Sequence, residues 1–92
     1  MRRGYRFALV VLVTFGFAGL VEAATLRVDN NTSLSVTVSV DGNYGCNTAA
    51  GTYCKIPVST GTHDVRAVFS DGDEIKDRFQ VPDDGVIWTL SE

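Results

Sequence analysis

The sequence predicts an all-β fold, a small antiparallel β-sandwich of about six strands with one disulfide, after an N-terminal signal peptide. Three observations lead to this prediction. Polar and apolar residues alternate in short runs from residue 25 onward, which is typical of half-buried strands. Turn-forming residues separate these runs at intervals of about 8–12 residues. Two cysteines supply a staple for a domain that is too small to bury a large core.

The first 23 residues have the composition of a secretory signal peptide. Three arginines precede an apolar run over residues 7–20, and Val21-Glu22-Ala23 resembles the site at which such peptides are cut. The apolar run is shorter than the roughly 20 residues that a membrane-spanning helix needs. We therefore predict cleavage after Ala23, which leaves a single β-sandwich domain at residues 24–92. An uncleaved N-terminal anchor is the alternative.

Cleavage would release the domain into the periplasm or the extracellular medium. Residues 24–92 contain five basic and ten acidic side chains, which gives a formal net charge of −5. Nucleic acid and anionic lipid both favour a basic patch, so we expect no nucleic-acid partner and no membrane contact in the mature form. The sequence contains no cofactor motif, and we expect no cofactor.

The first two predicted strands flank a turn. Residues 25–29 alternate polar and apolar side chains. Residues 30–33 (Asn-Asn-Thr-Ser) favour a turn because their side chains bond to nearby backbone groups. Residues 34–40 alternate for seven positions with three valines on one face, and Asp-Gly at 41–42 ends the strand.

A loop and two further strands follow. Residues 43–52 are rich in Gly, Asn, Thr and Ala, and we predict a loop there. Residues 53–58 form a short strand that contains Pro57. Because proline cannot donate a hydrogen bond to a neighbouring strand, we expect this strand at a sheet edge. Residues 63–69 alternate again.

The last two predicted strands complete the sandwich. Ser-Asp-Gly-Asp at 70–73 predicts a hairpin into a strand at 75–81. Asp77 falls on the inward phase of that strand, and we expect either a local bulge or a strand that begins near Arg78 to relieve the mismatch. Residues 86–90 form the closing strand, with Trp88 in the core.

The cysteines predict a disulfide. Cys46 and Cys54 are eight positions apart in a chain with an export signal, and exported proteins fold in oxidising compartments. A redox dithiol would favour the closer Cys-x-x-Cys spacing. A structural zinc site needs four ligands, to which the single histidine could add only one nitrogen. The disulfide is therefore the favoured hypothesis among the three.

We find no catalytic or metal-binding pattern in the sequence. His63 lies beside Asp64, but neighbouring residues of a strand point to opposite faces, so we predict a structural role for the histidine. Acidic residues cluster in turns near 71–74 and at 83–84. Calcium takes 6–8 oxygen ligands, and the spacing matches no calcium-loop motif. We expect solvated turns, with a weak calcium site as the alternative.

The candidate contact surface is the segment around the cysteines. Tyr44 and Tyr53 flank the predicted disulfide loop, and Asn47 lies within it. Tyrosine is favoured in recognition surfaces because its large ring loses little entropy on binding. Asn30 and Asn31 each begin a glycosylation sequon, which matters where the host glycosylates exported proteins.

From residue 34 onward the pattern resembles the small all-β PEGA-type, or prealbumin-like, module of bacterial surface proteins. The matching stretches are residues 36–42, 56–58 and 61–65, and residues 86–90 fit the closing strand. The Pro-Glu-Gly-Ala signature itself is absent. The resemblance implies a non-catalytic module of the cell envelope.

These observations predict a non-enzymatic exported binding or structural module of the cell envelope. We expect it to recognise a protein or cell-surface polymer through the disulfide-pinned loop or a sheet edge. The alternative is a secreted inhibitor or immunity-type protein that blocks a partner enzyme with the loop 43–52. A small enzyme with paired carboxylates is a third hypothesis, which no residue spacing supports.

Overall fold

Alternating apolar side chains build two facing sheets in the computed structural model, which describes residues 7–12 and 23–92. The described residues contain no helix, so no helical segment among them is long and apolar enough to cross a membrane. The predicted all-β sandwich with one disulfide is confirmed, but it has eight strands and not six. The strands are β1 (Phe7–Leu12), β2 (Ala23–Asn31), β3 (Val36–Val40), β4 (Asn43–Thr48), β5 (Tyr53–Ser59), β6 (Gly61–Phe69), β7 (Glu74–Val81) and β8 (Val86–Ser91).

Each sheet has four strands. The first sheet has the order β1-β8-β2-β5, and the second has the order β4-β3-β6-β7. Neighbouring strands run antiparallel, except that β2 and β8 are parallel. The edges are therefore β1 and β5 in the first sheet and β4 and β7 in the second. Pro57 lies in β5, which confirms the edge position expected for a residue without an N–H group.

The core lies between the sheets and takes alternate residues from each strand. The predicted inward faces of β3, β6 and β8 are confirmed. Trp88 is fully buried, and its ring meets that of Phe79 edge-on with the centroids 5.9 Å apart. Full burial of one such side chain contributes about 1.5–3 kcal/mol to stability. The buried apolar residues are Ala24, Leu26, Val28, Val36, Val38, Val40, Ile56, Val58, Val65, Ala67, Phe69, Val81, Val86, Trp88 and Leu90.

The loop predicted over residues 43–52 is wrong for its first part, which forms the edge strand β4. Asp41 and Gly42 have φ angles of 52° and 85°, as in the two-residue hairpin turn that joins two antiparallel strands tightly. The pairing of β4 with β3 slips by one residue at Gly45, which is a β-bulge. The bulge and the polar composition of β4 remove the alternation on which a strand prediction depends.

The strand β1 comes from the segment predicted to be a signal peptide. It pairs with β8 in the antiparallel direction over its whole length. Ala8 and Val10 pack against the core. The predicted cleavage after Ala23 falls at the first residue of β2. The rest of the predicted signal peptide, residues 1–6 and 13–22, lies outside the described residues.

Neither the bulge expected at Asp77 nor the start of the strand near Arg78 is found, because β7 begins at Glu74. Strands β6 and β7 pair without a register shift, and Asp77 lies opposite Val65. The half-buried Asp77 carboxylate accepts a hydrogen bond from the N–H of Arg78 at 2.8 Å. The strand therefore keeps its regular register with a half-buried carboxylate on its inward phase.

Asn30, predicted to lie in a turn, is a buried polar residue at the end of β2. Its Nδ2 donates to the carbonyl oxygens of Leu34, Thr48 and Ala49 at 2.7, 3.3 and 3.1 Å. Its Oδ1 accepts from the N–H and the hydroxyl of Thr32 at 3.0 and 2.6 Å. One side chain thus ties β2 to the following turn and to the end of β4. The folded chain hides this sequon, whereas the next asparagine is exposed.

Candidate functional site

A disulfide joins the two sheets along one side of the sandwich. Cys46 of β4 and Cys54 of β5 are bonded with their Cα atoms 6.3 Å apart, which confirms the predicted pair. Because β4 and β5 are edge strands of different sheets, the bond fixes one edge to the other. We call these two strands the β4–β5 edge. A disulfide is typical of proteins that fold in oxidising compartments and is consistent with export.

Tyr53 begins β5, and cations lie over its ring. The side chain is exposed, with the Arg27 guanidinium 4.3 Å and the Lys55 ammonium 5.9 Å from the ring centroid. Arg27 Nε also donates to Asp29 Oδ1 at 2.6 Å. A cation over an exposed ring contributes about 0.5–1 kcal/mol. Tyr53 is therefore held against neighbouring side chains of the first sheet.

Tyr44 and Asn47 lie on the other half of the β4–β5 edge. Tyr44 is opposite Ser39, and the residue is 69% exposed. Asn47 is opposite Thr37, and its Nδ2 donates to the Thr37 hydroxyl at 2.8 Å. The structure thus places two of the three candidate contact residues on the second sheet. Tyr53 belongs to the first sheet, and the disulfide connects the strands that carry them.

A crevice of about 250 Å³ opens beside Tyr44, where residues of β4 and β5 lie next to one another. Asp41, Asn43 and Tyr44 line it from the side of β4, and Pro57 and His63 also line it. This volume is below the roughly 300–1,000 Å³ of small-molecule and cofactor pockets. The crevice therefore suits a single amino-acid side chain or one sugar ring.

His63 is bonded on both sides at the end of this crevice. Its Nδ1 lies 2.6 Å from Asp41 Oδ2. Its Nε2 lies 2.7 Å from the carbonyl oxygen of Ser59 and 3.3 Å from the Ser59 hydroxyl. The hydrogen bond to Asp41, helped by the bond to the Ser59 carbonyl, raises the pKa of His63 against the opposing effect of burial. The same contact lowers the pKa of Asp41.

The three side chains have the order Ser–His–Asp of a hydrolase triad, but their hydrogen bonds favour another role. A general base needs a free lone pair on Nε2 that faces the serine hydroxyl. Here Nε2 is closer to the Ser59 carbonyl, which accepts and cannot donate. Both nitrogens therefore face acceptors, and the protonated imidazolium satisfies both. The cluster works best as a charged clamp between the β3–β4 turn and the start of β6.

Sequence reasoning missed the clamp because its members are distant in the chain. Asp41 and His63 are 22 residues apart, and the pair Asp41-Gly42 predicts only a turn. The carboxylate also accepts from the N–H of Asp64 at 2.9 Å, so it bonds to two consecutive residues of β6. The side chain of Asp64 pairs with Arg78 instead. Only the adjacency of β3 and β6 in the second sheet brings these groups together.

The outer face of the second sheet carries opposite charges that are matched to each other. Glu74 pairs with Arg66 at 2.8 Å and with Lys76 at 3.5 Å, and Arg78 pairs with Asp64. The bond from Arg66 is the main cause that lowers the pKa of Glu74. Exposed pairs of this kind contribute about 0–1 kcal/mol each. Across residues 7–12 and 23–92, no three His, Cys, Asp or Glu side chains come together as metal ligands.

Comparison with known proteins adds no family or function. The chain matches no protein-family model, no curated protein and no solved structure. The geometry of the β4–β5 edge is therefore the basis for a function.

Proposed function

We propose that the protein is an exported, non-enzymatic binding or structural module of the cell envelope. It recognises a protein or a surface polymer through the β4–β5 edge. The observation that carries this proposal is an exposed tyrosine, Tyr44, beside a crevice on strands that a disulfide holds together.

The geometry supports recognition because the contact surface is organised before a partner arrives. The hairpin turn at Asp41-Gly42 holds the start of β4, and the disulfide holds the strand at Cys46. A rigid surface loses less conformational entropy on binding than a mobile loop does. A tyrosine ring adds a large apolar area with a polar tip, which suits both a protein and a sugar. The crevice beside Tyr44 would take one projecting group of the partner.

The non-enzymatic assignment has its support in the hydrogen bonds of His63. The His63 imidazole lies near the Ser59 hydroxyl, but its nitrogens bond to the Asp41 carboxylate and to the Ser59 carbonyl. To accept a proton from the Ser59 hydroxyl, His63 would have to break the bond between its Nε2 and the Ser59 carbonyl oxygen. The resemblance to envelope modules of the PEGA type supports the same class of function and remains a prediction.

The inhibitor hypothesis has less support than the binding module. It required the segment 43–52 to enter an enzyme's cleft as a loop. Residues 43–48 are paired with β3, which leaves the turn at 49–52 as the unpaired part. A stoichiometric complex with one hydrolase, with that turn in its active site, would favour the inhibitor instead.

The experiment is affinity capture of envelope components by the exported protein, followed by measurement of the isolated complex. Tyr44→Ala is expected to weaken the captured interaction about tenfold or more, since a central tyrosine commonly contributes over 1 kcal/mol. Gln80→Ala, exposed on β7, is the matched control and should bind as the wild type does. Equal binding by wild type and Tyr44→Ala would remove the β4–β5 edge as the contact surface.

A further inference from the structure

The side of the sandwich opposite the disulfide ends in an edge that one separate segment covers. Strand β1 pairs with β8 from Phe7 opposite Ser91 to Leu12 opposite Val86. It is the outermost strand of the first sheet. Removal of the predicted signal peptide takes β1 with it. The main chain of β8 then loses its antiparallel partner on that side.

Removal of β1 also uncovers apolar side chains between the sheets. Ala8 and Val10 pack against the core, and Ile75 and Phe79 of β7 are partly buried against the same core. β1 contacts β7 across the sandwich. Without β1, a cleft with an apolar floor lies between the free edge of β8 and β7. An edge with unpaired main-chain groups beside apolar side chains is a template for strand addition.

The outer face of β1 is more apolar than is usual for an exposed strand, whereas its inner face packs against the core. Leu9 is 61% exposed and Val11 is 41% exposed, and both are aliphatic. The exposed positions of β7 at the corresponding edge of the second sheet are Glu74, Lys76, Arg78 and Gln80. A surface strand normally alternates an apolar inward face with a polar outward face. A strand with polar outward residues would therefore suit this edge better than β1 does.

We propose that the edge of β8 in the exported protein is an acceptor for one extended segment of a partner protein. The segment runs antiparallel to β8. It places apolar side chains of the size of Ala8 and Val10 over Ile75 and Phe79, with polar side chains between them. The proposal depends on the predicted cleavage and is independent of the surface around Tyr44.

A second copy of this chain does not suit the cleft. Strands β2 to β8 leave no unpaired stretch between them longer than four residues, whereas β1 forms six residue pairs. None of these connections in a second copy is therefore long enough to replace β1.

The test begins with the full-length chain secreted from a bacterial host and the mass of the recovered product. A mass that corresponds to a chain starting at Ala24 shows that β1 has been removed from the edge of β8. The probe is a capped six-residue peptide of the β1 sequence with Leu9→Thr and Val11→Thr, followed by two lysines for solubility. We expect saturable binding with one peptide per chain, a change in Trp88 fluorescence, and at least tenfold slower amide exchange in β8.

Two peptides with one added aspartate each provide the matched comparison. Val10→Asp places the charge on the inward face and is expected to weaken binding at least tenfold. Val11→Asp in place of Val11→Thr puts it on the outward face and should bind as the probe does. Equal binding of the two peptides, or no binding by the probe, overturns the proposal. So does a secreted chain that retains β1, or a dimer whose β8 amides are protected without peptide.

Two further measurements test the acceptor edge independently of the fold of the secreted chain and of the proposed contact surface at Tyr44. If the secreted chain is unfolded by circular dichroism, restoration of its β-sheet signal by the probe supports the acceptor, and failure to restore it overturns the acceptor. Tyr44→Ala should bind the probe as the wild type does. Loss of partner capture by Tyr44→Ala with normal peptide binding leaves both proposals standing, and each can fail alone.

Discussion

The Asp41 carboxylate lies 2.6 Å from His63 Nδ1 and links the β3–β4 hairpin turn to the start of β6. The Asp41 N–H also donates to the Asp64 carbonyl at 2.7 Å, which adds a main-chain bond to the side-chain bond. Two kinds of bond therefore hold the turn at the end of the crevice. The geometry of Tyr44, two residues beyond Gly42, depends on this attachment.

The ionisation of His63 should follow Asp41. The bond to Asp41 raises the pKa of His63 above its ordinary value of 6.5. Asp41→Asn removes the negative charge and should bring the pKa of His63 back toward that value. Because the chain has one histidine, its imidazole signals in a proton NMR titration are assigned without ambiguity. An unchanged titration midpoint in Asp41→Asn would contradict the clamp.

Stability should be pH-dependent in a defined window. A raised pKa for His63 means that its contribution is complete below about pH 6.5 and is lost as the pH rises through the folded-state value. The lowered pKa of Asp41 means that its contribution is present above about pH 4 and is lost at lower pH. Urea midpoints should therefore be highest between about pH 4 and 6.5. In His63→Gln, the decline above pH 6.5 should disappear.

The disulfide should contribute strongly to stability for a short loop. Closing the eight-position separation of Cys46 and Cys54 restricts the unfolded chain and contributes about 2–3 kcal/mol in the chain-entropy account. The double variant Cys46→Ala with Cys54→Ala should lose that amount in urea unfolding. Wild type in a strong thiol reductant should unfold at a urea concentration similar to that of the double variant. Equal stability of oxidised and reduced wild type would show that the two edges hold together without the bond.

Asn30 should be among the least replaceable polar residues of the described chain. Asn30→Ala removes five hydrogen bonds from a largely buried region, although the Leu34 carbonyl keeps its bond from the Thr32 hydroxyl and the Ala49 carbonyl keeps its bond from the Thr52 N–H. Each buried group left unpaired costs about 1–3 kcal/mol, and local relaxation recovers part of the total, so we expect a loss of about 2–4 kcal/mol. The exposed neighbour supplies the control, and Asn31→Ala should change stability by less than about 0.5 kcal/mol.

Even the smallest side chain at Gly45 should destabilise the fold. A Cβ atom there would lie 2.6 Å from Ile56 Cδ1 and 3.0 Å from the carbonyl oxygen of Val38. Gly45→Ala is expected to destabilise the fold by about 1–3 kcal/mol, as overpacking does in other cores. Ile56→Val removes the closer atom, so the double variant should be more stable than the sum of the single changes predicts. Strict additivity would contradict a clash at this position.

The alternation of apolar residues was sufficient to predict the six strands that have a regular period. Valines at every second position of β3 and the run of β8 ending at Leu90 face the core as expected, because burial acts on one face of each strand. The strand β4 was not predictable in this way. Its extra residue at Gly45 and its polar outward positions break the period, and pairing with β3 compensates for the missing apolar signal.

The sequence by itself determined the fold class, the disulfide pair and the edge position of Pro57, because each depends on properties of nearby residues. The tertiary structure alone decided which distant polar groups meet. Asp41, Ser59 and His63 form one cluster, and Asn30 reaches the end of β4, since sheet pairing brings together residues that no local pattern connects. It also decided that β8 lies between β1 and β2, because strand order is set by how the two faces pack.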